Sequence, residues 1–381
     1  MPDNTLPTGY HTRREILQQP DIWLETYERV AALAPAFREF LDRNHLTKES
    51  KIIFCGAGSS EFAAQAVADL YRRDGFSQAR SVPTTDIVTD PSYYVGKDDT
   101  ILAFSFARSG NSPESVGAYE MLNHYCRKVH HVLITCNKDG ALAKGAHPEK
   151  DFSVVLPDAT NDVSLVMTSS FSSMCIAALL LRNPDDMASQ KPLVEKAADA
   201  ARRYLAPEIG EKMKGIAERP VQRVVALGSG PLKGIAREAH LKMQEMTNGK
   251  IVSTYDSFLG FRHGPKAVVN ESSLIFYFLA SKDYVRRYEM DLIRQINAEH
   301  NPIAQIVVAD VPVDDPEVKL DLQIVGGHCI DCNPYAAIAT IVAAQRMGFH
   351  LSVANGYNPD SPSSNGVISR VVKGVKIYKP E

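Results

Sequence analysis

The chain has 381 residues, 44% of them hydrophobic, which is enough for two or three domains with real cores. Its 42 Lys and Arg stand against 45 Asp and Glu, a net charge of −3. That balance argues against a nucleic-acid partner, because binders of the phosphate backbone need a clustered positive excess, but it leaves room for one small anionic substrate.

Apolar stretches such as Leu274–Ala280 and Cys175–Leu181 fall short of the roughly 18–20 residues a membrane helix needs, so no membrane span is expected. The first residues lack the apolar core of a secretion signal, which makes cytoplasm the expected location. Cysteines 55, 126, 136, 175, 329 and 332 are scattered too thinly for a disulfide framework, and none is expected to be paired.

In chain order, residues 12–44 carry apolar residues at helical spacing behind a capping-box pattern, Thr12-Arg-Arg-Glu15, with Pro20 and Pro35 expected to divide them into short helices. From Lys51 a short apolar run, Ile52–Phe54, leads through Gly56-Ala-Gly58 into a helical stretch, Glu61–Tyr71: the opening of a βαβ unit. Further strands are predicted at Ile101–Phe106, His131–Thr135 and Phe152–Leu156, followed by a helix from about Thr168 to Leu181. Short strands alternating with helices imply a parallel sheet covered on both faces.

The pattern then repeats some 170–174 residues downstream. Gly56-Ala-Gly58 returns as Gly228-Ser-Gly230, Ile101 as Leu274, Val132 as Ile306 and Asp86 as Asp256. The expected architecture is therefore α/β: two tandem doubly wound parallel-sheet domains, 49–205 and 206–350, behind a helical leader, 1–48. A tail, 351–381, is long enough to reach over a site.

Two segments carry chemistry. At a predicted strand end, Arg108-Ser109-Gly110-Asn-Ser112-Pro113-Glu114 combines hydroxyls, a cation and a helix start, which suits a phosphate cradle, and Ser60 at the neighbouring strand end can add a hydroxyl. An ordinary capped helix would read the same way. In the second copy, Glu238, Lys242 and Glu245 share one helical face, a pattern that is usually a solvated salt-bridge stripe. Beyond them, Arg262-His263-Gly264-Pro265-Lys266 exposes an imidazole between cations. Carboxylate and imidazole together are the minimal equipment for moving protons on a sugar. The glycine turns do not form a dinucleotide fingerprint. Cys329-Ile-Asp-Cys332 lacks the second pair that a zinc site requires.

With these residues in place the chain resembles the sugar isomerase (SIS) domain family, in which two such units follow one another, the first with a Ser-Gly-x-Ser phosphate loop and the second with a glutamate helix followed by His-Gly-Pro. Thr12-x-x-Glu15-Ile16-x-x-Gln19-Pro20-x-x-Trp23, Val82-Pro-Thr-Thr-Asp86, Met167-Thr-Ser-Ser170, Gly260–Lys266, Asn358-Pro-Asp360 and Arg370-Val-Val372 are similar to the branch that acts on galactosamine 6-phosphate.

The resemblance implies deamination with isomerisation to tagatose 6-phosphate and ammonia. It places the catalytic roles on Glu245, Lys242 and His263, and substrate binding on Ser60, Arg108, Ser109, Gly110, Ser112, Thr168 and Ser169. It implies no metal or other cofactor, and at least a homodimer in which the His263 segment can serve a neighbour's site. Plain tagatose-6-phosphate ketose/aldose isomerisation stays open, since the proton transfers are the same. A sugar-phosphate sensor would need neither Glu245 nor His263. The arrangement also resembles the isomerase half of glucosamine-6-phosphate synthase, but the first serine of that enzyme's phosphate loop is replaced here by Ala107, and its essential lysine near the C-terminus has no clear match among Lys373, Lys376 and Lys379.

Overall fold

The computed structural model describes residues 7–363, 366–372 and 374–378. Its strands form two sheets. In the first, β1 (Lys51–Cys55), β2 (Ala79–Ser81), β3 (Thr100–Ala107), β4 (Lys128–Thr135) and β5 (Asp151–Val155) lie in the order β2-β1-β3-β4-β5, all parallel. In the second, β6 (Arg223–Gly228), β7 (Val252–Asp256), β8 (Ser273–Phe278), β9 (Ala304–Ala309) and β10 (Leu322–Val325) lie in the order β7-β6-β8-β9-β10, again all parallel. The two orders are the same, so the internal repeat is a repeat of topology. Helices on both faces explain why β8 and β9 bury every residue and β3 and β4 all but their first. In such sheets ligands bind outside the carboxyl ends of the strands, where the strand order reverses, and here that lies between β1 and β3 and between β6 and β8.

The turn at the reversal is built identically in the two sheets. Gly58 and Gly230 have φ of 58° and 54°, a left-handed conformation that favours glycine. At Gly56 a Cβ would lie 2.5 Å from the backbone of Ser60, and at Gly228 one would lie 2.3 Å from the Leu232 carbonyl. Each glycine thus lets the first turn of the next helix, Ser59–Arg73 or Pro231–Met246, close against the strand end.

By contacts the described residues fall into two units. The first-sheet unit holds Asp21–Asn161, Ser169–Val194 and those from Ile368 on; the second-sheet unit holds those up to Pro20, Asp162–Thr168 and Glu195–Val367.

The leader differs from expectation. Its helices are Tyr10–Leu17 and Gln19–Arg43, and the second runs through Pro35 without breaking. Val30, Ala34, Phe37 and Phe40 give that helix a buried apolar face, which outweighs one missing N–H. Pro20 is its second residue, where no donor is needed. The Thr12/Glu15 pair is not a capping box, because the helix starts earlier, behind Gly9. Thr12 instead donates its N–H and Oγ1 to Asp360 at 2.7 Å, and Glu15 accepts the Val163 N–H at 2.6 Å and the Ser164 hydroxyl. Both bonds lie inside the second-sheet unit, so the tail's Asn-Pro-Asp caps the first helix.

One further expectation is corrected. Cys329 and Cys332 form a disulfide, their Cα atoms 5.4 Å apart in the loop after β10, a separation the bond requires and a three-residue turn supplies. The other four cysteines are free and buried. The stretch Pro334–Ala354 is long and apolar enough to cross a membrane by length and composition, but its most apolar 18-residue window is 78% buried inside the protein, as in a core helix, in keeping with the expectation of no membrane span.

Burial also sets a limit in acid. His131, fully buried on β4 with its ring 4.2 Å from that of Tyr119, is held down to about 3, first by desolvation and then by neighbouring His130. A folded-state value below the unfolded one means stability is present above the ordinary histidine range and is lost as pH falls through it towards 3. The slope is at most about 1.4 kcal/mol per pH unit. Replacing His131 with Phe should flatten the acid side of a plot of melting temperature against pH between about 6.5 and 3. Equal slopes for the two proteins would refute this.

Candidate active site

In the first-sheet unit the carboxyl ends of β1 and β3 are neighbours, with Cys55 opposite Ser105. Ser60 sits in the first turn after β1 and is buried, as are Arg108 and Ser109 just past β3. Gly110 follows with φ 68°, and Ser112 occupies the N-cap of the helix Pro113–Tyr125. The Ser112 hydroxyl makes no capping bond, so it is left for an anion approaching the helix end.

The next strand's loop buttresses this cradle. Asn137 donates Nδ2 to the Ser109 carbonyl at 2.9 Å, Leu142 donates its N–H to the Gly110 carbonyl at 2.9 Å, and Asn111 Oδ1 accepts from the Ala141 N–H at 2.9 Å. A Cβ at Gly140 would lie 2.3 Å from the Ser109 carbonyl oxygen, so only glycine fits there. Arg108 Nη2 donates to the Arg370 carbonyl at 3.0 Å, and the Arg370 guanidinium reaches Asn161 Oδ1 at 2.5 Å. The tail from Ile368 on therefore lies on the cradle's own unit. Ser169 begins the wholly buried helix Ser169–Leu181.

In the second-sheet unit the helix Pro231–Met246 carries the acid–base candidates. Glu238, Lys242 and Glu245 are not a solvated stripe. Glu238 and Lys242 have no exposure at all, and Glu245 keeps 20% of its side chain accessible. Lys242 Nζ is 3.3 Å from Glu238 Oε1 and 2.6 Å from Glu245 Oε2. A buried ammonium is stable only with such partners, and here it fixes Glu245 from its inner side. His263 is exposed on the loop after β7, its N–H bonded to the Gly260 carbonyl at 3.0 Å. Among the described residues no hydrogen bond or ion pair joins it to Glu245. Thr168 is buried, its N–H donating to Asp162 Oδ2 at 2.8 Å, so its hydroxyl too is drawn towards Asp162.

Sequence reasoning missed Asp162 and Asn137. The signal was no more than a polar residue near a segment already singled out, Asn137 two residues past Thr135 and Asp162 six residues before Thr168. Asp162 and burial together push Glu15 up to about 7, burial being the larger cause. Of the tail lysines, Lys376 lies 4.8 Å from the Tyr378 ring centre, while Lys373 and Lys379 fall outside the described residues.

A doubled parallel α/β chain with a candidate anion cradle after β3 and a buried lysine held between two carboxylates after β6 is the class these features define. A model described as the SIS domain matches residues 45–183, and the chain belongs to the SIS domain family. It is 36% identical to D-galactosamine-6-phosphate deaminase AgaS of Escherichia coli O157:H7 over 99% of each chain. It is 32% identical to the protein of the same name from Shewanella sp. (strain ANA-3), over 97% of this chain and 92% of that one. The crystal structure of tagatose-6-phosphate ketose/aldose isomerase from Escherichia coli superposes with a TM-score of 0.87 at 34% identity, covering 97% of both chains.

Replacing Lys242 with Met leaves the buried Glu238 carboxylate and the partly accessible Glu245 carboxylate without their cation. The expected loss is about 3–5 kcal/mol in urea unfolding. A loss below about 1 kcal/mol, the range of exposed pairs, would refute a buried, structurally required ammonium.

Proposed function

We propose that the chain is a galactosamine-6-phosphate deaminase/isomerase producing tagatose 6-phosphate and ammonia. The observation that carries this reading is the Glu245 carboxylate, tethered by a buried Lys242 and still partly accessible. Relatives of matching length with that printed activity support the substrate class.

In the proposed mechanism the sugar phosphate is gripped by Ser60, Arg108, Ser109, the Gly110 turn and Ser112, with Thr168 and Ser169 supplying further polar contacts. His263 assists ring opening. Glu245 takes the proton from C2 of the open aldehyde and returns one to C1, so the enolamine becomes a C2 imine. Water adds to that imine and ammonia leaves, giving the ketose; the net reaction is a hydrolysis joined to an isomerisation. Lys242 holds Glu245 in position.

Functional halves at 49–205 and 206–350 follow from this division of labour. We further infer a homodimer, in which an exposed His263 loop can serve the neighbouring chain's sugar, and a cytoplasmic location, which suits four buried free thiols. The second reading is ketose/aldose isomerisation without loss of nitrogen, favoured by the name of the superposed Escherichia coli structure.

Ammonia and ketose should appear together when the protein is incubated with galactosamine 6-phosphate. Ketose formation from sugar phosphates without ammonia from any amino sugar would favour the second reading. Glu245→Gln should lower turnover by about 10²–10⁴-fold while binding of the sugar phosphate is kept. Unchanged turnover would remove Glu245 from the mechanism.

A further inference from the structure

Away from the strand ends, in the second-sheet unit, the helix Ile341–Ala354 meets Tyr10–Leu17 and Pro207–Ala217. A pocket of about 110 Å³ opens at this junction, with Arg13, Glu211, Arg346, Phe349 and His350 in its wall. The site is built around Arg346. Its half-buried guanidinium donates Nη1 to the Ala206 carbonyl at 2.8 Å and passes so close over Gly210 that a Cβ there would lie 1.8 Å from Nη2. His350 stands one turn further along the same helix face.

The charges in this corner do not balance. Arg13, Arg346 and Lys214 converge, faced by the carboxylates of Glu208 and Glu211, and among the described residues neither carboxylate forms an ion pair with Arg13 or Arg346. Burial first, then Arg13, lowers the Arg346 guanidinium. Burial first, then the charges of Arg346, Lys214 and Arg13, holds the His350 imidazole down to about 4. Three cations against two carboxylates leave a surplus of positive charge beside the cavity.

We propose that this pocket binds a phosphoryl dianion, free or at the end of a sugar phosphate, between Arg13, Arg346 and His350. Two planar forks match phosphate oxygens, and a dianion draws a proton onto the imidazole, which adds a third charged donor. The opposite face of the same helix meets the Glu245 helix: a Cβ at Gly348 would lie 3.2 Å from the Lys242 carbonyl. A ligand in the pocket therefore loads the helix that covers Lys242.

The test is the titration of the His350 imidazole by NMR in the full-length protein, assigned with His350→Gln. It is run with inorganic phosphate, with glucose 6-phosphate and with chloride at equal ionic strength. Binding should raise the His350 value by about one unit or more. Arg13→Gln and Arg346→Gln should each weaken that response about tenfold. Response to both phosphates identifies the free anion as sufficient, and response to glucose 6-phosphate alone identifies the sugar phosphate. No shift with either, or an equal shift with chloride, overturns the proposal. Should Arg346→Gln fail to fold, the exposed Arg13→Gln decides. The readout is local to His350, so it is independent of turnover and of phosphate binding after β3.

Discussion

An ammonium group removed from water is tolerated only where negative charge meets it at hydrogen-bonding distance, and the second-sheet unit is arranged around one such group. Lys242 draws both of its carboxylates from its own helix, four residues before and three after, so a single turn register brings the set together. What makes the set buried is the neighbouring helix, which approaches so closely at Gly348 that the Lys242 backbone is covered. The result is a carboxylate at position 245 with one oxygen committed inward and part of its surface still open. Such a group is oriented before any substrate arrives, which is the condition under which proton transfer gains most from proximity.

The cradle of the first-sheet unit is positioned on the same principle, with backbone in place of charge. Its loop is held from behind by Asn137 and the Leu142 N–H, both acting on carbonyls, while the hydroxyl of Ser112 is not spent on the helix it heads. Arg108 is the exception. Its guanidinium is already engaged with the Arg370 carbonyl, so it ties the tail to the loop as well as offering charge there.

Periodicity was the legible part of the sequence. Strands at Ile52, Ile101, Val132, Leu274 and Ile306 are short apolar runs bounded by turns, and their repetition carried the topology of both sheets. Long-range side-chain partners were not legible. Thr12 and Glu15 have the spacing of a local capping box, but Asp360 and Ser164, distant in sequence, claim them. Pro35 reads as a breaker, yet a buried apolar face on either side carries the helix through it. Lys242 reads as a surface residue because spacing reports a shared helical face and says nothing of what packs upon it.

The two units share a frame, but at one corresponding strand end they differ in what a side chain does. After β8, which occupies the place in the second sheet that β3 has in the first, the buried Glu289 carboxylate accepts the Ala280 N–H at 2.9 Å. Burial is the main cause that pushes Glu289 up to about 7. At that strand end of the second sheet the Ala280 N–H is thus committed to a carboxylate, and an anion there would meet oxygen where it needs N–H. The two units share the strand, the glycine turn and the helix. In the second-sheet unit that strand end is closed from within by Glu289, and the buried Lys242 with its two carboxylates lies instead on the helix that begins at Pro231.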